Sequence, residues 1–139
     1  MCIRDRENAV QYFIKQAADA GMDLFRVFDA LNWVENTRVS IDAILESGKI
    51  CEGAVCYTGD LMSSRTDKYT IDYYQKRVKE FVDAGVHIIG IKDMAGLIKP
   101  AAATTLVKAV RDVTDLPIHF HTHDTSGCLL YTSPSPRDS

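Results

Sequence analysis

The stretch His87-Ile-Ile-Gly-Ile-Lys-Asp93, followed by Met94-Ala-Gly96, decides how this chain folds. It is an apolar run of strand length, rich in β-branched residues and closed by a turn signal. Three further runs share its form: Leu24-Phe-Arg-Val-Phe-Asp29, Gly53-Ala-Val-Cys-Tyr-Thr58 and Leu116-Pro-Ile-His-Phe-His-Thr-His123. They recur at intervals of about 30 residues, the length of one strand–helix–strand unit. The intervening segments carry helical spacing. In Ile71 to Ala84 the apolar residues Ile71, Tyr74, Val78, Phe81 and Val82 fall on one face. Residues 7–20, about 33–47 and about 99–113 read the same way. Gly21, Gly48 and Gly85 stand where a left-handed residue ends a helix, and Pro100 stands at a helix start.

Strands alternating with helices predict right-handed crossovers and a parallel sheet. Two architectures satisfy this order: an open doubly wound sheet and a closed eight-stranded barrel. No glycine-rich dinucleotide fingerprint follows any strand, which disfavours the first. The expected fold is α/β: a partial TIM (β/α)8 barrel of about four consecutive parallel strands with their helices. Residues 7–127 are read as a fragment of such a barrel domain. The ends, residues 1–6 and 128–139, lack the periodicity that the fold calls for and read as non-native, adaptor-like sequence.

Composition bounds the function. The chain has 139 residues, 46% hydrophobic and 25% charged, as expected of one globular domain. A net charge of -3 offers no basic field for nucleic acid, so none is expected as a partner. No run is long enough to span a membrane, and no signal peptide opens the sequence. The four cysteines (Cys2, Cys51, Cys56, Cys128) form no paired motif and read as free thiols of a reducing, cytoplasmic compartment, with a bacterial source expected.

Chemistry concentrates at the strand ends. In His119-Phe-His-Thr-His123, alternation places His119, His121 and His123 on one face. Two imidazoles at i and i+2 can converge on one metal ion; the pattern taken alone favours histidines hydrogen-bonded within a core, and their place at the strand end turns the reading towards the metal. Lys92, inside an apolar strand beside the side-chain-free Gly90, is unusual because a buried ammonium must be paired, deprotonated or modified. It either snorkels out of the barrel mouth or captures carbon dioxide as a carbamate whose oxygens face a metal. Arg26 and Asp29 read as an inward charge pair or as substrate contacts. Tyr57-Thr-Gly-Asp60 reads as part of the rim, and the charged face of residues 70–84 as solvated.

Four motifs, in order, carry a resemblance: Phe25-Arg-Val-Phe-Asp-Ala-Leu-Asn32, Cys56-Tyr-Thr-Gly-Asp60, Ile91-Lys-Asp-Met-Ala-Gly-Leu-Ile-Lys-Pro100 and His119-Phe-His-Thr-His-Asp-Thr-Ser-Gly127. Together they resemble the strand-end motifs of the carboxyltransferase domain of the pyruvate carboxylase family. The resemblance runs from about Glu7 to Gly127. It implies a TIM barrel that transfers a carboxyl group from carboxybiotin to pyruvate, giving oxaloacetate, at a divalent metal, zinc or manganese. It matches Lys92 to a carbamylated metal-ligand lysine with a catalytic role, and His121 and His123 to the two metal-ligand histidines. His119 matches no ligand.

The resemblance also implies biotin on a carrier domain and ATP used by another domain, both outside this chain, and a homo-oligomeric parent. A ligand aspartate, the pyruvate-binding arginine and glutamine, and a proton-relay threonine fall outside the matched motifs, so the chain alone is expected to be inactive. Three other readings compete. The α subunit of a biotin-dependent oxaloacetate decarboxylase or transcarboxylase shares the barrel, but more often carries alanine where Asp124 stands. The wider lyase and acyl-transferase barrels lack the lysine ligand. A non-catalytic metal-binding module would close its coordination with more protein ligands than are found here.

Overall fold

A computed structural model describes residues 3–63, 68–123 and 125, with the side chains of residues 3–6 left out. Helix α1 (Ile3–Asp19) leads into β1 (Leu24–Phe28), a 3-10 turn (Val34–Thr37) and α2 (Arg38–Glu46). Then follow β2 (Ile50–Cys56), α3 (Ile71–Asp83), β3 (Ile88–Asp93), α4 (Pro100–Arg111) and β4 (Ile118–Thr122).

The strands form one parallel sheet in the order β1-β2-β3-β4. Sequential order separates the two candidate architectures. A doubly wound sheet reverses its strand order at a switch point and carries helices on both faces. Here each strand is laid beside its predecessor, as in a barrel wall. Phe25, Cys51, Val55, Ile89 and Ile91 share the outer face and are buried in one core with the helix residues Ile14, Ile41, Ile44, Tyr74, Val78, Phe81, Leu106 and Val110. Gly53 sits on that face because Phe81 packs over it: a Cβ there would lie 2.5 Å from Phe81 Cδ1.

Local chemistry sets the element ends. The Thr70 hydroxyl accepts the Tyr73 amide 3.3 Å away and starts α3, while Pro100 occupies the first turn of α4. Gly21, Gly48 and Gly85 take positive φ after α1, α2 and α3. Helix α1 begins at Ile3, so its backbone includes part of the segment expected to be foreign. Residues 1, 2 and 128–139, with Cys2, Cys128 and the tail, lie outside the described residues. Among those described, no helix is long and apolar enough to cross a membrane.

Two expectations require correction. Residues 33–47 do not form one helix: the 3-10 turn precedes α2, and the Thr37 hydroxyl donates to the Val34 carbonyl at 2.6 Å. Strand β2 begins at Ile50 rather than Gly53, which brings Glu52 into the sheet.

Candidate active site

The other sheet face is built by the alternate residues. Register pairs Arg26 with Glu52, Phe28 with Ala54, Cys56 with Lys92, Gly90 with His119 and Lys92 with His121. Register partners in a parallel ladder project to the same side. Lys92 and His121 are therefore lateral neighbours at the carboxyl ends of adjacent strands, where parallel barrels place their chemistry. His123 follows directly, its ring centroid 5.1 Å from that of His121 and nearly perpendicular to it. The Lys92 ammonium lies 4.5 Å from the centroid of the Phe28 ring.

His121 Nε2 is buried and has no hydrogen-bond partner among the described residues. An orphaned ring nitrogen beside a second imidazole and a lysine has the donor chemistry that a divalent metal takes. Burial, then the positive charges of Lys92 and Arg26, push the His121 pKa down and favour the neutral, ligating imidazole. Among the described residues, no three His, Cys, Asp or Glu come together as a metal cluster. Lys92 would have to supply the third donor, which an ammonium cannot do and a carbamate can.

Arg26 and Asp29 do not pair with each other, which corrects the inward-pair expectation. Arg26 faces the sheet interior and meets Glu52, Nε to Oε1 at 2.9 Å. Asp29 lies past the end of β1 and turns back on its own loop. It accepts the amides of Leu31 (2.8 Å) and Trp33 (3.2 Å) and the Asn36 side chain (3.0 Å). Glu52 is 2% exposed and reaches towards His119 as well, Oε2 to Nδ1 at 3.2 Å. The shorter contact to that nitrogen comes from Arg26 Nη2, at 2.7 Å. Nδ1 thus faces a donor, Arg26 Nη2, and an acceptor, Glu52 Oε2, and the ring tautomer decides which of the two it bonds. His119 is thereby engaged in an Arg26–Glu52–His119 cluster below Lys92 and His121. Gly90 gives the Glu52 carboxylate its space, since a Cβ there would lie 2.6 Å from Oε1.

Asn32, left-handed at φ 56 and buried, holds the end of β2. Its Oδ1 accepts the Cys56 amide at 2.7 Å, and its Nδ2 donates to the Cys56 carbonyl at 2.8 Å. At the rim, Tyr57 stacks on Tyr74 with centroids 5.7 Å apart. Lys99 Nζ reaches Asp60 at 2.7 Å, joining the loop after β2 to the loop after β3. Asp124, which the resemblance singled out, lies outside the described residues.

The chain has counterparts among known proteins. Residues 4–131 match the HMGL-like family. The chain belongs to the HMGL-like family.

Pyruvate carboxylases are among its relatives. The enzyme of Bacillus subtilis is 50% identical over 125 residues, which are 90% of this chain and 11% of that protein. The mitochondrial enzyme of Homo sapiens is 48% identical over 87% of this chain and 10% of its own length. The chain thus spans about a tenth of the curated relatives it matches. Among solved structures, the carboxyl transferase domain of Rhizobium etli pyruvate carboxylase with pyruvate and biocytin is 63% identical. It superposes with a TM-score of 0.85 over 87% of this chain and 20% of that one. This HMGL-like segment is homologous to part of that carboxyltransferase domain.

Proposed function

We propose that this segment forms one side of a carboxyl-transfer centre in a biotin-dependent pyruvate carboxylase, with Lys92, His121 and His123 as ligands of a divalent metal. The observation that carries the reading is the lateral pairing of Lys92 with His121, whose buried Nε2 has no partner among the described residues. Lys92 would add carbon dioxide: the amine nitrogen bonds the carbon, a proton leaves, and an anionic carbamate presents oxygen. His121 and His123 would bind as neutral imidazoles. Zinc or manganese, when bound, supplies Lewis acidity that stabilises negative charge developing on a substrate oxygen.

The chain's own residues do the rest. Phe28 gives Lys92 a surface to lie on, and Gly90 leaves the space beneath it open for Glu52. Arg26, braced by Glu52, keeps a fixed positive charge on the same face as the lysine. Pyruvate and carboxybiotin are the substrates in this reading, and ATP and the biotin carrier act elsewhere in the parent.

The test grafts residues 7–127 into the matching segment of the Bacillus subtilis enzyme and measures ATP- and bicarbonate-dependent oxaloacetate formation together with bound metal. The graft should be active, and His121→Ala, His123→Ala and Lys92→Ala should each lower metal content and activity together, by at least about tenfold in activity. Full metal content in all three variants would refute the ligand assignment. Activity independent of ATP and bicarbonate would favour a decarboxylase instead.

A further inference from the structure

On the outer face of the sheet, behind Lys92 and the histidines, Asp93 makes a set of contacts that the proposed ligand set does not explain. Its side chain is fully buried, and its hydrogen bonds run to the loop after β3 and to the end of β4. Oδ1 accepts the Leu97 amide at 2.9 Å, and Oδ2 accepts the Ile98 amide at 3.0 Å. Oδ2 also accepts the Thr122 hydroxyl at 3.2 Å. Thr122 is the register partner of Asp93 and stands between His121 and His123. The Asp93 carbonyl accepts the His123 amide at 3.2 Å.

The loop that Asp93 anchors returns to the same strand. Gly96, at φ 63, lies so close to Thr125 that a Cβ there would sit 2.6 Å from the Thr125 amide nitrogen. One residue therefore holds the end of β4 at Thr122 and at His123, and holds the loop that backs Thr125. A buried carboxylate is tolerated only when its oxygens are filled, and three donors fill these. A one-residue slip of β4 would turn both histidines to the wrong face. Thr122, which donates to Asp93, stands directly between them.

We infer that Asp93 and Thr122 form a positioning pair that sets the spacing of His121 and His123 relative to Lys92. The inference rests on the metal reading above and names residues outside its ligand set. Neither residue touches the metal or the substrate; they act through the strand end.

The experiment uses the Bacillus subtilis carboxylase carrying the grafted segment, with the unsubstituted graft as wild type, stripped of metal in bicarbonate buffer, titrated with cobalt(II) and followed by its visible spectrum, with amide hydrogen exchange and thermal unfolding in parallel. Thr122→Val keeps the side-chain shape and loses the hydroxyl; Thr122→Ser restores it. Thr122→Val should weaken cobalt binding about tenfold and speed exchange of the His123 amide, beyond the fall in unfolding midpoint that a lost donor to a buried carboxylate brings and with exchange in α1 unchanged. Thr122→Ser should return both to wild-type values. Asp93→Asn keeps one acceptor oxygen, so it should in addition release one of the Leu97 and Ile98 amides. If the wild-type chain binds cobalt and Thr122→Val binds it equally well, the inference fails while the metal reading stands. If His121→Ala leaves wild-type cobalt binding unaltered, or the wild type binds none, the metal reading fails and the inference with it. A fall in binding that Thr122→Ser does not rescue would also overturn the inference.

Discussion

At Gly90 the sheet has no room for a side chain. A methyl group there would meet Glu52 Oε1 at 2.6 Å and Ala54 Cβ at 2.8 Å, displacing a buried carboxylate from its arginine. Gly90→Ala should cost about 1–3 kcal/mol by overpacking, measured by urea unfolding. Asp29 gives a pH-dependent counterpart. Burial raises its pKa, but the Trp33 amide, the Asn36 side chain and the Leu31 amide outweigh it and leave the pKa lowered. A folded pKa below the unfolded one stabilises fully above about pH 4, and the gain is lost as pH falls through the lowered value. Asp29→Ala should therefore cost about 1 kcal/mol at pH 7 and progressively less in acid, read from unfolding curves across that range. At Cys51 burial, then the neighbouring Glu52, push the thiol pKa up to about 11. It should stay unmodified by iodoacetamide at pH 8 in the folded chain and react once urea unfolds it.

Among the elements, the strand cores and helix ends were legible in the sequence and the polar interior was not. Apolar runs with flanking glycines reveal β1, β3 and β4, and the helical spacing of Tyr74, Val78 and Phe81 reveals the buried face of α3. Glu52 escapes because an acid in Ile50-Cys-Glu-Gly-Ala-Val-Cys56 breaks the apolar run, so the strand reads as opening at Gly53. Its partners, Arg26 and His119, are 26 and 67 positions away, beyond any local pattern. Arg26 and Asp29 look like partners because they are close in sequence, yet one faces the sheet interior and the other lies past the strand end. Asn32 shows how a loop residue can extend a sheet: its amide group engages both backbone groups of Cys56, as a neighbouring strand would. Asn32→Asp replaces the donor to the Cys56 carbonyl with an acceptor and leaves a buried carbonyl unpaired, which costs about 1–3 kcal/mol. Amide exchange at Cys56 and its β3 neighbours should rise in that variant, while exchange in α1 should not.

At the scale of the whole molecule, a sheet that adds each strand beside the last buries one face under helices and leaves the other to chemistry. The barrel reading is legible because its units repeat along the chain and its four strand-end motifs keep their order. The metal-site reading is only half legible. An HxH pattern and a lone strand lysine each have an ordinary structural explanation, and it takes the register of β3 with β4 to place them side by side. Within the described residues the site has two histidines and one lysine, and no three His, Cys, Asp or Glu side chains are grouped there to hold a metal. The isolated 139-residue chain should accordingly form no oxaloacetate from pyruvate with ATP, bicarbonate and free biotin; measurable turnover would contradict the view that the rest of the centre comes from elsewhere in the parent.

The central claim is that Lys92, His121 and His123 share one metal on the inner face of the sheet. The most direct measurement is anomalous diffraction at the zinc and manganese absorption edges from crystals of the grafted carboxylase grown with bicarbonate. The account predicts a single peak about 2.0–2.2 Å from one nitrogen of each histidine and from an oxygen of a carbamate on Lys92. Density showing an unmodified Lys92 lying on Phe28, with no anomalous peak between the two histidines, would contradict it.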